Sequence, residues 1–185
     1  MNRALLLAFL LAGCQQEVAQ NTDPVALTPE TLGYFCQMNL LEHDGPKGQV
    51  HLDGQPGAPL YFSQVSDLVT YLRLPEQSSQ VLAIYVSDMG ADGATWEQPG
   101  AANWTDGRTA TYVVGAGVTG GMGAPELVPF ADPVKAEAFA ALNGGTVMNL
   151  DAIPDSAIGA IDPGVPEGDD DYSRRLDALT GGTGD

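Results

Sequence analysis

The chain has only two cysteines in 185 residues, Cys14 and Cys36, and this scarcity constrains its fold most. Two thiols build neither a disulfide framework nor a four-cysteine zinc site, so stability has to come from a buried apolar core. The length suits one domain, or at most two small ones, and 44% hydrophobic residues are enough to fill a core. Charge then narrows the function. Asp and Glu number 24 against 7 Lys and Arg, a net charge of −17. Nucleic-acid binding needs clustered Lys and Arg to displace counterions from phosphates, and a polybasic membrane patch needs the same residues. Both classes are therefore excluded. No internal apolar run reaches the roughly 18 residues of a spanning helix.

The N-terminal segment claims one of the two cysteines. Arg3 precedes an apolar run, Ala4–Ala12, which ends Leu11-Ala12-Gly13-Cys14. Small residues directly before a cysteine, closing so short a run, resemble a bacterial lipobox. That resemblance implies a signal peptide over 1–13 and a lipid on the Cys14 thiol. The acyl chains would then be the only membrane attachment, each buried CH₂ contributing about 0.8 kcal/mol. An ordinary secretory peptide that happens to contain a cysteine is the alternative. Gln15, rather than Asp, follows the cysteine, as in lipoproteins sorted to the outer membrane. Cleavage removes Arg3, leaving 6 basic against 24 acidic residues, or −18. Cys36 is then a lone thiol in the oxidising periplasm, which calls for burial, an intermolecular bridge, catalysis or a metal.

Residues 14–28 are polar and aperiodic and read as the lipidated cysteine with a flexible tether. Residues 162–185 carry Asp169-Asp170-Asp171 and several glycines and read as an acidic disordered tail, with a helical turn around Tyr172–Leu179. The folded domain is expected over 29–161. Gln49–Leu52 alternates like a strand, with His51 on the solvated face, and Leu60–Phe62 is its hairpin partner. Ser66–Leu74 is a helix, with Ser66 as cap and Pro75 as stop. Val81–Val86, Thr109–Val114 and the short run Leu127–Phe130 are strands. Pro133–Leu142 is a second helix, capped by Asp132 and ended by Gly144-Gly145, and Val147–Leu150 is the last strand. Phe62 to Tyr71 and Phe130 to Phe139 both span nine residues, each starting just before a helix. The pattern predicts an α+β domain of two similar β-β-α-β units packed together.

The chemistry concentrates in Tyr34-Phe35-Cys36-Gln37-Met38-Asn39-Leu40-Leu41-Glu42-His43-Asp44-Gly45-Pro46-Lys47. A thiol, a thioether and an imidazole fall within eight residues. Soft sulfur donors select Cu(I) over hard cations, and imidazole suits several metals. If the segment is extended, Cys36 and Met38 share a face about 6.6 Å apart at their Cα atoms, near enough for side chains to share an ion. A turn at Gly45-Pro46 would fold His43 back. Equally, Cys36 and Met38 are residues that fill cores, and a catalytic Cys36 would need His43 as its base. A second segment, Gly115-Ala116-Gly117-Val118-Thr119-Gly120-Gly121-Met122-Gly123-Ala124-Pro125, is glycine-rich with Met122 as its one long side chain. It lacks the Gly-Lys-Ser/Thr of a phosphate loop. Met122 is either a donor on a flexible loop or that loop's buried anchor; Met89 and Met148 read as packing.

Taken in order, Cys36-x-Met38, Glu42-His43-x-Gly45-Pro46-Lys47, Gly121-Met122-Gly123, Val128-Pro129-Phe130 and Gly144-Gly145 resemble the NosL family. The resemblance covers about 29–161 together with the lipobox. It implies a periplasmic Cu(I)-binding chaperone, not an enzyme, whose two β/α units are related in architecture to organomercurial lyase. It implies copper delivery to the copper centre of nitrous oxide reductase, docking with a membrane ABC-type maturation complex, and a monomer. Carried over by position, Cys36, Met38 and Met122 match the family's ligands, and His43 matches a histidine beside them. Gln37 stands where a smaller residue is expected and Asp44 where proline is expected. Two other readings compete: a metal-free lipoprotein module for an organic ligand or protein partner, and a lyase-like enzyme. The lyase would need a second thiol or an equivalent acid.

Overall fold

A computed structural model of the chain describes residues 19–158. The segment 1–13 expected to be a signal peptide, the expected lipidation site Cys14 and the expected disordered tail over 162–185 lie outside the described residues. The elements run β1 (Gly48–Leu52), β2 (Leu60–Phe62), α1 (Val65–Arg73), β3 (Val81–Ser87), β4 (Trp104–Asp106), β5 (Thr111–Val114), β6 (Val128–Phe130), α2 (Pro133–Asn143) and β7 (Thr146–Asn149).

Two antiparallel sheets result, ordered β2-β1-β3-β4 and β6-β5-β7. In each, the first strand of the unit is central, its hairpin partner lies on one side, and a helix carries the chain over to the other side. The helix is needed because β2 and β3, like β6 and β7, run parallel to each other and cannot be joined by a tight turn. The expected duplication of β-β-α-β units is therefore present, with β4 added to the first sheet. The nine-residue spacings have the same consequence twice. Phe62 packs on Tyr71 and Phe130 on Phe139, each pair with ring centroids 5.4 Å apart.

The main core lies between the sheets and under α1, with Val50, Phe62, Leu68, Ile84, Val86, Tyr112 and Leu127 buried. Fully burying side chains of this size contributes about 1.5–3 kcal/mol each. Close packing of α1 on β1 requires Gly48, because a Cβ there would collide with the Leu68 side chain. A smaller cluster around Val113, Val128, Phe130 and Ala136 sits under α2. Asp132 caps α2 as expected, accepting from Val134 N, and Gly144 ends it at φ 76°.

Three expectations need correction. Ser66 is not the cap of α1: Gln64 holds the N-cap position with no side-chain capping bond, and Ser66 is buried in the first turn. His51 is not solvated but 1% exposed. The reason lies in the described part of the tether, which is docked rather than free. Gln20 Nε2 donates to Leu52 O, and Val25 N and O pair with the Gln49 side-chain amide at 2.9 and 3.0 Å. Leu27 is buried and its N–H donates to Ala101 O. This strap covers the face of β1 that carries Gln49 and His51, so β1 is buried on both faces.

Candidate metal centre

The candidate ligands sit on two small loops, each closed by an isolated β-bridge. Leu32 pairs with Asn39 around residues 33–38, and Thr119 pairs with Pro125 around residues 120–124. The first loop is a turn rather than the extended segment expected for Cys36 and Met38. Gly33 N donates to Met38 O, Gln37 N donates to Gly33 O, and Gln37 takes φ 55°. A left-handed residue other than glycine is strained. The Gln37 side chain offsets that strain by donating from Nε2 to Gly33 O and Tyr34 O. The amide side chain, longer than the sequence pattern led one to expect, is thus part of the turn. Cys36 Sγ lies over Gly33, where any Cβ would strike it, and makes a long 3.9 Å contact to Met38 O. Tyr34 and Phe35 stack on Phe62 and Tyr71, which ties the turn to the core.

Asn39 leads out of this turn and caps a short 3-10 helix, Leu40–Glu42, by accepting from Leu41 N. His43 follows, and the chain turns at Gly45 as expected. Gly45 has φ 81°, lies against the Trp96 ring and donates its N–H to Trp96 O. Buried Lys47 fixes the same bend, donating from Nζ to Asp44 O and Gly45 O at 3.0 and 2.5 Å. Burial lowers the Lys47 pKa to about 8, opposed by the nearby acidic side chains Glu126 and Asp44.

This bend carries His43 to the glycine loop. Gly121 is pressed so close that a Cβ would come within 2.6 Å of His43 Cβ and 2.9 Å of Asp44 O. The Trp96 indole N–H donates to Thr119 O at the loop's base. Met122 N donates to Gln64 Oε1 at 2.6 Å, and Gly120 lies against Gln64 and Glu126. The fold therefore brings His43 and the Met122 loop into van der Waals contact. Cys36 and Met38 occupy one turn that joins the same segment through the 3-10 helix.

The exposure pattern suits the loading of a soft ion. Met38 and Met122 are 42% and 43% exposed, and Cys36 is half-buried, so none of the three sulfurs is core filler. Met89 and Met148, by contrast, pack against the cores as expected. His43 Nε2 is buried without a hydrogen-bond partner. Among the described residues, no group of three His, Cys, Asp and Glu side chains is placed to hold a metal ion. A thiol, two thioethers and an unpartnered imidazole nitrogen on these two segments are donors of the kind that suits Cu(I).

Sequence reasoning missed three residues that shape this region. Lys47 was visible only as part of a motif. Glu126 stands out as one charge beside the apolar run Leu127–Phe130, yet it is 1% exposed. Burial raises its pKa to about 8 against the hydrogen bonds it accepts from the Leu127 and Ser66 amides. Gln64 gives no signal in the sequence, because the amide it accepts from, Met122 N, lies 58 residues along the chain.

Comparison with known proteins identifies the family. The NosL family model matches residues 24–158. The copper-binding lipoprotein NosL of Achromobacter cycloclastes is 53% identical over 173 residues, covering 92% of this chain and 89% of that protein. The protein of the same name from Stutzerimonas stutzeri is 34% identical over 152 residues, covering 81% and 77%. The crystal structure of the copper chaperone NosL from Shewanella denitrificans superposes with a TM-score of 0.67 at 29% identity, covering 74% of this chain and 98% of that one. A family match over most of the folded chain, relatives of this identity and the shared architecture lead to one conclusion: this chain belongs to the NosL family.

Proposed function

We propose that this protein is a periplasmic Cu(I)-binding metallochaperone, anchored by lipid on Cys14 to the outer membrane, that delivers copper for assembly of the nitrous oxide reductase copper centre. The observation that carries the reading is the pair of bridged loops that hold one thiol and two half-exposed thioethers. The names of the relatives, a copper-binding lipoprotein and a copper chaperone, support cargo and anchoring alike.

In this reading the Cys36 thiolate is the anchoring ligand. Met38 and Met122 are neutral donors, and His43 is an optional fourth. A neutral thioether adds no charge, so a recipient offering a stronger ligand displaces it by exchange. Loading releases the Cys36 proton, which makes affinity rise with pH. The acidic surface favours encounter with a basic face on a recipient, here the reductase or its ABC-type maturation complex, with an on-rate that falls as salt is added. The protein is a monomeric carrier with no catalytic residue and no nucleic-acid partner.

The test is an anaerobic Cu(I) titration against a competing chelator. It uses the lipidated chain in detergent, so that Cys14 offers no thiol. One tight equivalent is expected, abolished in Cys36→Ser and weakened in Met38→Ala and Met122→Ala. Binding indifferent to Cys36 would overturn the assignment.

A further inference from the structure

The start of α1 and the Met122 loop exchange their hydrogen-bonding partners. Gln64 occupies the N-cap position of α1 yet does not cap it. Its Oε1 instead accepts from Met122 N at 2.6 Å, and its Nε2 donates to Ser66 Oγ at 3.1 Å. The duty Gln64 leaves vacant is taken by Glu126, four residues beyond Met122. Glu126 Oε1 accepts from Ser66 N at 3.1 Å and from Leu127 N at 2.8 Å. Both side chains are 1% exposed.

Gly120 lies in the angle between them. A Cβ there would stand 2.7 Å from Glu126 Oε2 and 2.9 Å from the Gln64 amide, so the loop backbone rests directly on the pair. Within the loop, Gly120 N donates to Ala124 O and Gly123 N to Gly120 O. Gly121 meets His43 and Asp44 on the far side. Met122 itself is held by one bond from outside its own loop, the one to Gln64.

We infer that Gln64, supported by Glu126 and Gly120, is a positioning residue that sets where the Met122 thioether stands. The physical reason is the loop's composition. Gly120-Gly121-Met122-Gly123 has little conformational preference of its own, so without an external acceptor the chain entropy of three glycines spreads the sulfur over many positions. A buried acceptor on a rigid helix start removes that freedom in advance. Outer partners of this kind typically govern ~10–100-fold in metal affinity. The inference rests on the proposed role of Met122 as a Cu(I) ligand.

The test is a double-mutant cycle on the full lipidated chain in detergent. It compares wild type, Gln64→Ala, Met122→Ala and the double variant by anaerobic Cu(I) competition, with the ¹³C-labelled Met122 methyl resonance followed in parallel. Gln64→Ala is expected to weaken Cu(I) about 10-fold. The double variant should bind like Met122→Ala alone, because the Gln64 effect passes through that sulfur. In Gln64→Ala the Met122 methyl should lose its copper-induced shift while the Met38 methyl keeps its own. Gly120→Ala, which pushes the loop off the same pair, should act through Met122 in the same way and covers the case in which Gln64→Ala misfolds. Additive losses, with both methyl shifts kept, would overturn the inference and leave the copper site standing. A Met122→Ala variant with full affinity would overturn the inference together with the ligand role on which it rests.

Discussion

The two β-β-α-β units share strand order, crossover and an aromatic pair at 5.4 Å, yet they are used differently. In the first, Tyr34 and Phe35 are laid on Phe62 and Tyr71, so the turn bearing Cys36 and Met38 is stacked on the pair. In the second, no other aromatic ring among the described residues stacks on the Phe130–Phe139 pair. Helix α1 buries Val65, Ser66, Leu68, Val69 and Tyr71, whereas α2 buries Ala136 alone and leaves Val134 and Leu142 exposed. The hairpin connections also part company. Residues 53–59, between β1 and β2, hold no sulfur, while the connection between β5 and β6 holds Met122. The repeat supplies a scaffold twice, and the chemistry comes from what was added to each copy asymmetrically. Leu32, Tyr34, Phe35, Met38, Leu41 and Met122, most of the large exposed apolar residues described, all fall in these additions.

The comparison can be broken first at the aromatic pairs. Phe62→Ala and Phe130→Ala should each cost about 3–5 kcal/mol of stability, measured by denaturant unfolding. Only Phe62→Ala should also weaken Cu(I) binding in the fraction that stays folded, because only that ring supports the 33–38 turn. Equal copper affinity in both variants would mean that the stacking does not position the thiol. The helices sharpen the contrast next. Leu68→Ala should cost about 2–5 kcal/mol, since Leu68 is wholly buried against Gly48. Leu142→Ala, at a residue 86% exposed, should fall within about 0.5 kcal/mol. A large loss at Leu142 would show that α2 is covered in solution.

The smallest effect concerns the strap. His51 Nε2 bonds to Gln49 Oε1, which already accepts from Val25 N, so the imidazole is the donor and Nδ1 is left bare and buried. Burial lowers the His51 pKa below its usual 6.5, opposed by Asp23. A group with a depressed folded pKa lends stability that is complete above the unfolded value and is lost as pH falls toward the folded one. The His51 contribution should therefore be lost as pH drops below about 6.5, against the gain that buried Glu126, raised to about 8, makes over the same range, so His51→Gln should gain stability relative to wild type as pH falls. The matching face of β5 has no histidine, so the acid sensitivity should belong to the first unit. An unchanged pH profile in His51→Gln would show that the strap does not seal this face.

Much of this was legible in the sequence, for reasons that are local. Asp132 and Pro133 announce the start of α2, and Gly144 its end, because capping and left-handed geometry are decided within a few bonds. The duplicated units were visible because a nine-residue spacing from strand to helix survives in both copies. Cys36, Met38 and Met122 could be picked out because few side chains offer soft sulfur.

What escaped the sequence depends on distant parts of the chain. The alternation of β1 placed His51 opposite the core, and a strand exposed on that face would have left it wet. Only the strap, anchored by Gln49 some 24 residues away, decides otherwise. Ser66 has the chemistry of a cap, but the helix begins one residue earlier and takes its cap from Glu126, 60 positions on. Gln37 looked like a departure beside the candidate ligands, yet its side chain donates twice within the turn. The sequence by itself determined the elements, the repeat and the kinds of donor atom, since backbone preference and ligand softness are properties of single residues. Tertiary structure alone decided which faces are dry and where the Met122 loop stands against His43. Burial and loop position are set by contacts between segments whose separation along the chain carries no information about their distance in space.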